Sequence, residues 1–102
     1  MANLNLYKSF YDVVRYDGFT NASKATNISQ PALSYSIKTL EKELNTQLFI
    51  RQSKGVILTK EGEILYQKIS QALTLITDAE NEINNQLELT KGQLTIGAGD
   101  TI

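Results

Sequence analysis

The sequence predicts a mainly α fold, in which three short helices and a two-stranded hairpin precede one long helix. Before residue 45, apolar residues recur every three or four positions in three short stretches, which is the spacing of amphipathic helices. Between residues 48 and 58, two apolar runs flank a polar turn, as in a β-hairpin. From residue 60 to 89, apolar residues follow a helical repeat without any Pro, and Gly62 is the one weak point, so this stretch is predicted to be one helix.

The first helix is predicted at about residues 5–17. Asn3 or Asn5 can cap its start, and Asp17-Gly18 supplies a stop in which Gly18 suits the left-handed position after the last turn. The apolar face of this helix comprises Leu6, Phe10, Val13 and Val14.

A short second helix is predicted at about residues 21–26, with Thr20 as its N-cap. Its inward positions are expected to be Ala22 and Ala25, since small side chains allow two helices to approach closely. Asn27 tolerates the left-handed backbone conformation and is expected to end the helix.

The third helix has the clearest start signal in the chain. Ile28 is expected to act as an apolar plug in the turn before it, and Ser29 is expected to cap it. Gln30 then begins the helix, and Pro31 lies in the first turn, where its missing N–H costs little. The helix is predicted to run to about residue 44, and its apolar stripe comprises Leu33, Ile37, Leu40 and Leu44.

A small hairpin follows, with strands predicted at 48–51 and 56–58 and a turn between them. Together with the three helices, the hairpin makes a winged helix-turn-helix domain over residues 1–58, with the hairpin as its wing.

The long helix is predicted to begin after a Thr59 cap and to measure about 45 Å, more than a small globule needs. Its apolar residues alternate spacings of four and three, which is the seam of a coiled coil. Because the sequence offers no partner helix, residues 59–90 are interpreted as a linker that pairs with a second copy. The dimer contacts are expected to come from Leu65, Ile69, Leu73, Ile76, Ile83 and Leu87.

The last segment, 91–102, follows the helix stop at Lys91-Gly92. Residues 93–97 alternate between polar and apolar side chains, as a strand does. A single strand without a pairing partner is interpreted as the start of a truncated further domain.

Charge is divided unevenly along the chain, although the formal net charge is only −1. Residues 1–58 hold seven basic and four acidic side chains, a net charge of +3, whereas residues 59–102 hold three basic and seven acidic ones, a net charge of −4. This asymmetry indicates two roles for the two halves, or else chance.

Composition excludes several kinds of site. The chain has no Cys and no His, which rules out disulfides, thiolate or imidazole metal sites, a cysteine nucleophile and a Ser-His pair. We therefore expect no enzyme activity, catalytic residue, metal or cofactor. Because the sequence contains no apolar run near the ~20 residues of a spanning helix and no evident signal peptide, a cytoplasmic protein without a membrane partner is expected.

The outward face of the third helix carries the side chains that best indicate a function. Gln30, Ser34 and Lys38 are spaced four apart, and Pro31 and Tyr35 flank them. Gln and Ser can hydrogen-bond base edges in the major groove of DNA, and Pro and Tyr can contact a thymine methyl group. The alternative is a solvated helix face without a ligand; the helix-turn-helix context favours contact with bases.

Backbone contacts are predicted from two other places. Arg51 and Lys54 lie at or near the hairpin tip, where a cation suits phosphate, although an ordinary polar turn would have the same composition. Thr20, Asn21 and Ser23 lie at the start of the second helix, and a helix N-terminus favours a phosphate.

These motifs resemble the signature of LysR-type transcriptional regulators over essentially the whole chain. The residues that carry the resemblance are Ser29-Gln30-Pro31-Ala32-Leu33-Ser34, Ile37, Leu40-Glu41, Leu44, Leu48-Phe49, Arg51, Leu58-Thr59 and Gly62, with Lys91 to Gly97 resembling the junction to an effector-binding domain. The resemblance implies a homodimer joined through the linker helices, a tetramer in full-length members, a pseudo-palindromic double-stranded DNA operator, and a small-molecule inducer bound by the missing domain.

The chain departs from the family pattern at a few positions. Tyr35 stands where Arg is very frequent, which removes a guanine-reading side chain and implies a preference for A·T-rich sequence. Thr26 stands where Leu is common and is expected to weaken the local core slightly; the other departures are Ser23, Asn45 and Glu61. A second interpretation of the whole chain is a helical dimerisation or adaptor module with a purely structural helix-turn-helix.

Overall fold

The computed structural model describes residues 1–52 and 55–92, and these ranges form four helices and one antiparallel pair of strands. The elements in chain order are α1 (Leu4–Arg15), α2 (Phe19–Thr26), α3 (Gln30–Leu44), β1 (Phe49–Arg51), β2 (Val56–Leu58) and α4 (Lys60–Gly92). The mainly α fold, a winged helix-turn-helix followed by a long helix, is thereby confirmed. Lys54 and the strand predicted at 93–97 lie outside the described residues.

Contacts between Cα atoms divide the chain into two compact units. The first, called the head here, comprises Met1–Ser70 and therefore includes the first turns of α4. The second, called the tail, begins at Gln71. The head has a buried core, formed by Ala2, Phe10, Val13, Ala22, Leu33, Ile37, Leu40, Leu48 and Phe49.

Helix α1 ends earlier than its sequence predicts. Asn3 caps the start by accepting a hydrogen bond from a backbone amide at 2.7 Å. At the other end Asp17, not Gly18, takes the left-handed position, with φ = 61°. The Gly18 N–H then donates to the Val13 carbonyl at 2.9 Å, which closes the last turn. The helix therefore ends at Arg15, because Asp tolerates the left-handed conformation.

Helix α2 follows at once, which makes the prediction of Thr20 as its N-cap wrong. Gly18 is the cap, with φ = 130° and no side-chain cap hydrogen bond, and Phe19 already begins the helix. Ala22 is fully buried as predicted, whereas Ala25 is exposed and does not face the core. Because one residue both closes α1 and caps α2, the second helix starts two residues earlier than predicted.

The turn between α2 and α3 is held by hydrogen bonds and not by an apolar plug. Asn27 ends α2 in the left-handed conformation as predicted, with φ = 62°. Ile28 is 40% exposed, so its predicted role as a plug is wrong. Instead the Thr26 hydroxyl donates to the Ala22 carbonyl at 2.8 Å and accepts from the Ile28 N–H at 3.3 Å.

Helix α3 forms as its sequence predicts. The Ser29 hydroxyl accepts a hydrogen bond from the Ala32 N–H at 3.2 Å, and Asn45 ends the helix with φ = 56°. The apolar stripe is fully covered at Leu33, Ile37 and Leu40, but Leu44 in the last turn is 37% exposed.

The hairpin adds one aromatic side chain to the core. Its strands pair with Phe49 opposite Leu58, and the Phe49 ring lies 5.2 Å from that of Phe10 and 6.0 Å from that of Phe19, measured between centroids. The wing is thereby packed against both α1 and the start of α2.

Helix α4 joins the head through a close backbone approach. Thr59 caps it as predicted, since its hydroxyl accepts from the Gly62 N–H at 3.0 Å. A Cβ added to Gly62 would collide with the Leu48 carbonyl oxygen, so only glycine fits. Sequence reasoning treats Gly62 as a weak point of the helix, whereas the structure requires it there.

Two of the predicted dimer residues are engaged within the head. Leu65 and Ile69 are half-buried against its core, and Tyr66 between them stacks on Tyr11 with ring centroids 5.4 Å apart. In the tail, by contrast, every described side chain from 71 to 87 is exposed. The apolar repeat of α4 is therefore half-buried in the head and exposed in the described part of the tail.

Candidate nucleic-acid interface

The outward face of α3 gathers the side chains that the sequence predicts to meet bases. Gln30, Pro31, Tyr35 and Lys38 are exposed, with Tyr35 at 73%, and Ser34 is half-buried. The cap at one end and the buried stripe on the other side set the rotation of the helix, so these five side chains face away from the core.

Arg51 has a position that sequence reasoning missed. It is the last residue of β1, and its side chain reaches α3, where Nη2 donates to the Ser34 hydroxyl oxygen at 2.6 Å. Its guanidinium also lies over the Phe19 ring, 4.4 Å from the centroid. Arg51 therefore ties the wing to both helices of the helix-turn-helix. The sequence holds one signal for this contact: the guanidinium of Arg51 carries five N–H donors on a long side chain, and α3 carries a serine.

A groove of about 390 Å³ separates α3 from the wing. Lys38 and Arg51 contribute two cations to its lining, and the exposed Ile50 contributes an apolar side chain. The remaining lining residues are Ile37, Glu41, Gln47 and Phe49.

Glu41 is the acidic residue of this groove, and its carboxylate is occupied. Oε2 accepts from the backbone amides of Leu48 at 2.7 Å and of Phe49 at 3.2 Å. These bonds join α3 to the start of the wing. The two amide dipoles stabilise the negative charge of the carboxylate. The family-like pairs Leu40-Glu41 and Leu48-Phe49 stand in the sequence, but the contact between them is a property of the fold.

The residues predicted to meet phosphate at the start of α2 are grouped there. Thr20 and Asn21 are exposed in the first turn, and Ser23 is half-buried one turn further on. Because no side chain caps α2, the positive end of this helix is not neutralised by a capping oxygen.

Within residues 1–58, two of the four acidic side chains are engaged in contacts and are not fully exposed. Asp12 is 4% exposed and lies 3.2 Å from the Lys8 ammonium group, and Glu41 is held as described. The acids left exposed in residues 1–52 and 55–58 are Asp17 and Glu43. Over the described part of the chain, no group of side chains could hold a metal ion, and no helix is long and apolar enough to cross a membrane.

Curated relatives match nearly the whole chain. It is 41% identical over 98 residues to the HTH-type transcriptional regulator CysL of Bacillus subtilis, which covers 96% of this chain and 33% of CysL. It is 38% identical over 95 residues to the nitrogen assimilation regulatory protein nac of Klebsiella aerogenes, covering 93% of this chain and 31% of that protein. The chain thus spans about a third of the length of these relatives.

Solved structures share the fold. A crystal structure of BenM_DBD with catB site 1 DNA aligns with a TM-score of 0.68 at 33% identity, over 90% of this chain and 96% of that one. The full-length virulence activator AphB of Vibrio cholerae aligns with a TM-score of 0.72 at 30% identity, over 82% of this chain and 29% of AphB.

A family model covers the helix-turn-helix, the wing and the first turn of α4. The model for bacterial regulatory helix-turn-helix proteins of the lysR family matches residues 4–63, which is more than half of the chain. This range contains the whole outward face of α3, Arg51 and the Gly62 contact. The chain therefore belongs to the lysR family of bacterial regulatory helix-turn-helix proteins and carries the DNA-binding domain of that family.

Proposed function

We propose that this protein binds a specific double-stranded DNA operator as a homodimer, with α3 in the major groove and the wing on the backbone or the minor groove. The observation that carries the proposal is the exposed polar face of α3 beside the cation-lined groove of the wing. The similarity to transcriptional regulators such as CysL, and to BenM_DBD in its complex with DNA, supports it.

Base contacts are assigned to the outward face of α3. Gln30 is suited to pair bidentately with adenine, and Lys38 can donate to guanine acceptors. Pro31 and Tyr35 offer apolar surface to a thymine methyl group. Since Tyr35 replaces a frequent Arg of this family, we propose an operator that is richer in A·T pairs at this position.

Backbone contacts are assigned to α2 and the wing. Thr20, Asn21 and Ser23 lie in the first two turns of α2, whose N-terminus has no side-chain cap and favours a phosphate oxygen. Arg51 and Lys54 supply positive charge from the wing, which strengthens binding to any sequence.

Dimerisation is assigned to the tail. Leu73, Ile76, Ile83 and Leu87 share the apolar repeat of α4 and are between 36% and 59% exposed. A second copy of this helix would cover them as a coiled coil covers its seam. Leu65 and Ile69 were predicted to join the seam; because they pack within the head, we propose that they orient α4 and contribute little to the dimer.

The proposed roles divide the chain into three segments. We propose that residues 1–58 read DNA, that 59–90 link and dimerise, and that 91–102 lead into an effector-binding domain. On this proposal the complete protein works in the cytoplasm, responds to a small-molecule inducer and forms dimers or tetramers. No catalytic role is proposed.

The competing function is a helical dimerisation or adaptor module. It accounts for the exposed repeat of the tail but assigns no use to the outward face of α3. Gln30→Ala combined with Ser34→Ala separates the two, because only a DNA-binding protein should lose activity while its dimer stays intact.

Selection of bound sequences from a random duplex pool tests the proposal. We expect one enriched half-site repeated with two-fold symmetry, and an affinity whose logarithm falls with the logarithm of salt by about 0.9 per neutralised phosphate. The Gln30→Ala and Ser34→Ala double variant should lose the preferred sequence. Lys42→Ala with Glu43→Ala is the matched control, since it alters exposed α3 positions in the last turns and leaves net charge unchanged. Equal affinity of the unaltered protein for all duplexes would refute the proposal.

A further inference from the structure

The contact between Arg51 and Ser34 joins the wing to the face of α3 that is proposed to meet bases. The Nη2–H of Arg51 donates to Oγ of Ser34 at 2.6 Å, across 17 residues of sequence. This is a hydrogen bond from a charged donor, which is shorter and stronger than one between neutral groups.

The bond changes what the Ser34 hydroxyl can offer to a ligand. A serine hydroxyl has one O–H donor and two acceptor lone pairs, and its hydrogen rotates to suit the partner. With Arg51 donating to the oxygen, the O–H dipole is most stable when its hydrogen points away from the guanidinium. The positive charge beside the oxygen also opposes a second donor that approaches it.

Arg51 has further contacts that hold its guanidinium beside the Ser34 hydroxyl. Its backbone is paired with Val56 in the two-stranded sheet, and its guanidinium lies 4.4 Å from the centre of the Phe19 ring. Phe19 in turn lies 6.0 Å from Phe49 in the core of the head. The guanidinium therefore has contacts from two elements other than α3, β2 through the backbone of Arg51 and α2 through the Phe19 ring.

We propose that Arg51 is a positioning residue that sets Ser34 as a hydrogen-bond donor, so that α3 selects a base with an acceptor at that step and rejects cytosine. This inference rests on the proposed function, because Ser34 must face a base edge. A serine hydroxyl that rotates freely can pair with donors and acceptors alike. A serine hydroxyl held as a donor can pair with the acceptors of guanine, with adenine N7 or with thymine O4. Cytosine presents only its N4 amino donor in the major groove and is left without a partner.

The experiment measures binding of the protein to four duplexes that differ only at the base read by Ser34. That base is the position at which Ser34→Ala relaxes the selected sequence. We expect the duplex with cytosine to bind about two- to tenfold more weakly than the duplex with the best base, which is the range that one net hydrogen bond supports. The cytosine ratio is the affinity for the best duplex divided by that for the cytosine duplex. In Arg51→Met, which keeps the apolar stem without donors, this ratio should fall to within about twofold.

Two comparisons assign the effect to the Arg51–Ser34 contact. In the Ser34→Ala background, Arg51→Met should not change the cytosine ratio further, as a double-mutant cycle requires for coupled residues. Lys42→Met is the matched control, since it removes an exposed cation from α3 and should weaken all four duplexes equally. An unchanged ratio in Arg51→Met, or the same change with and without Ser34, would overturn the proposal.

The design also separates this inference from the function on which it rests. If the unaltered protein shows no sequence preference, the proposed function fails; if it shows one that Arg51→Met leaves intact, only the positioning role fails. Should Arg51→Met unfold, Phe19→Leu removes the ring beneath the guanidinium while keeping an apolar side chain. That variant is also expected to lower the ratio of affinities between the best duplex and the cytosine duplex. A ratio that stays unchanged in Phe19→Leu would contradict the proposal.

Discussion

Helix α3 and the tail segment of α4 carry the same apolar repeat with opposite burial. In α3, Leu33, Ile37 and Leu40 are at most 1% exposed. In the tail, Ile76 and Ile83 occupy equivalent repeat positions and are 55% and 59% exposed. Periodicity thus determines which side chains share a helix face, and only the surrounding chain determines whether that face is covered.

The same contrast runs within α4 itself. Ile69 packs against the head core, and one heptad later Ile76 is exposed. A repeat read as a single seam is therefore divided near Ser70, where the head ends. The following predictions test this division, beginning with the largest expected effect.

Ile37→Ala should lower the free energy of unfolding of the head by about 2–5 kcal/mol, because it leaves a cavity in a fully covered core. Urea denaturation followed by circular dichroism measures this loss. Ile83→Ala removes the same atoms from the exposed tail and is the matched control; its effect should vary with protein concentration, since it acts on association. Equal losses in both variants at every concentration would remove the contrast between the regions.

Ile76→Lys should convert the dimer to monomers, because it places a charge in the proposed seam. Operator affinity should then fall about a hundredfold through lost bivalency. Sedimentation velocity and operator titration measure the two effects. Asn81→Lys adds the same charge at an exposed position five residues along the helix, on another face, and should stay dimeric. A fully dimeric Ile76→Lys at low concentration would show that the seam lies elsewhere.

Gly62→Ala should destabilise the head by about 1–3 kcal/mol, although alanine ordinarily stabilises a helix interior relative to glycine. The new methyl group would collide with the Leu48 carbonyl and separate α4 from the wing. Thermal unfolding measures the loss. Glu63→Ala, at the next and exposed position, should change stability by no more than about 0.5 kcal/mol. A more stable Gly62→Ala would contradict the close approach.

Glu41→Gln should have the smallest effect, about 1 kcal/mol, because the amide oxygen still accepts a hydrogen bond but without the charge. The loss should appear in chemical denaturation, together with faster amide exchange at Leu48 and Phe49, the two donors. Glu43→Gln, an exposed neighbour on the same helix, serves as the control. Similar exchange rates in both variants would argue against the tie between α3 and the wing.

Local signals in the sequence predict the helix boundaries where one side chain is enough. Ser29, Asn27 and Thr59 act as expected, because a cap or a left-handed stop needs only the neighbouring backbone. The predictions fail where two elements share a residue. Gly18 both closes α1 and caps α2, so Thr20 falls inside a helix that it was expected to cap.

Apolar side chains in and after the short helix α2 are also assigned poorly from sequence. Ala25 is exposed although it was expected to face inward, because α2 has only two turns and Ala22 already meets the core; Ile28, in the turn that follows, is 40% exposed. The Thr26 hydroxyl hydrogen-bonds within the turn, a contact that the sequence pattern does not predict. A short helix lacks enough repeats for periodicity to define its rotation.

The candidate site shows the same distinction. Sequence alone determined that Gln30, Ser34 and Lys38 share one exposed face of α3, because helical geometry and the buried stripe leave no other arrangement. Only the tertiary structure decided that Arg51 meets Ser34, that Glu41 meets the wing, and that the apolar repeat of α4 is half-buried in the head and exposed after Ser70. These contacts join elements that are distant in sequence, and no local preference encodes how such elements pack together.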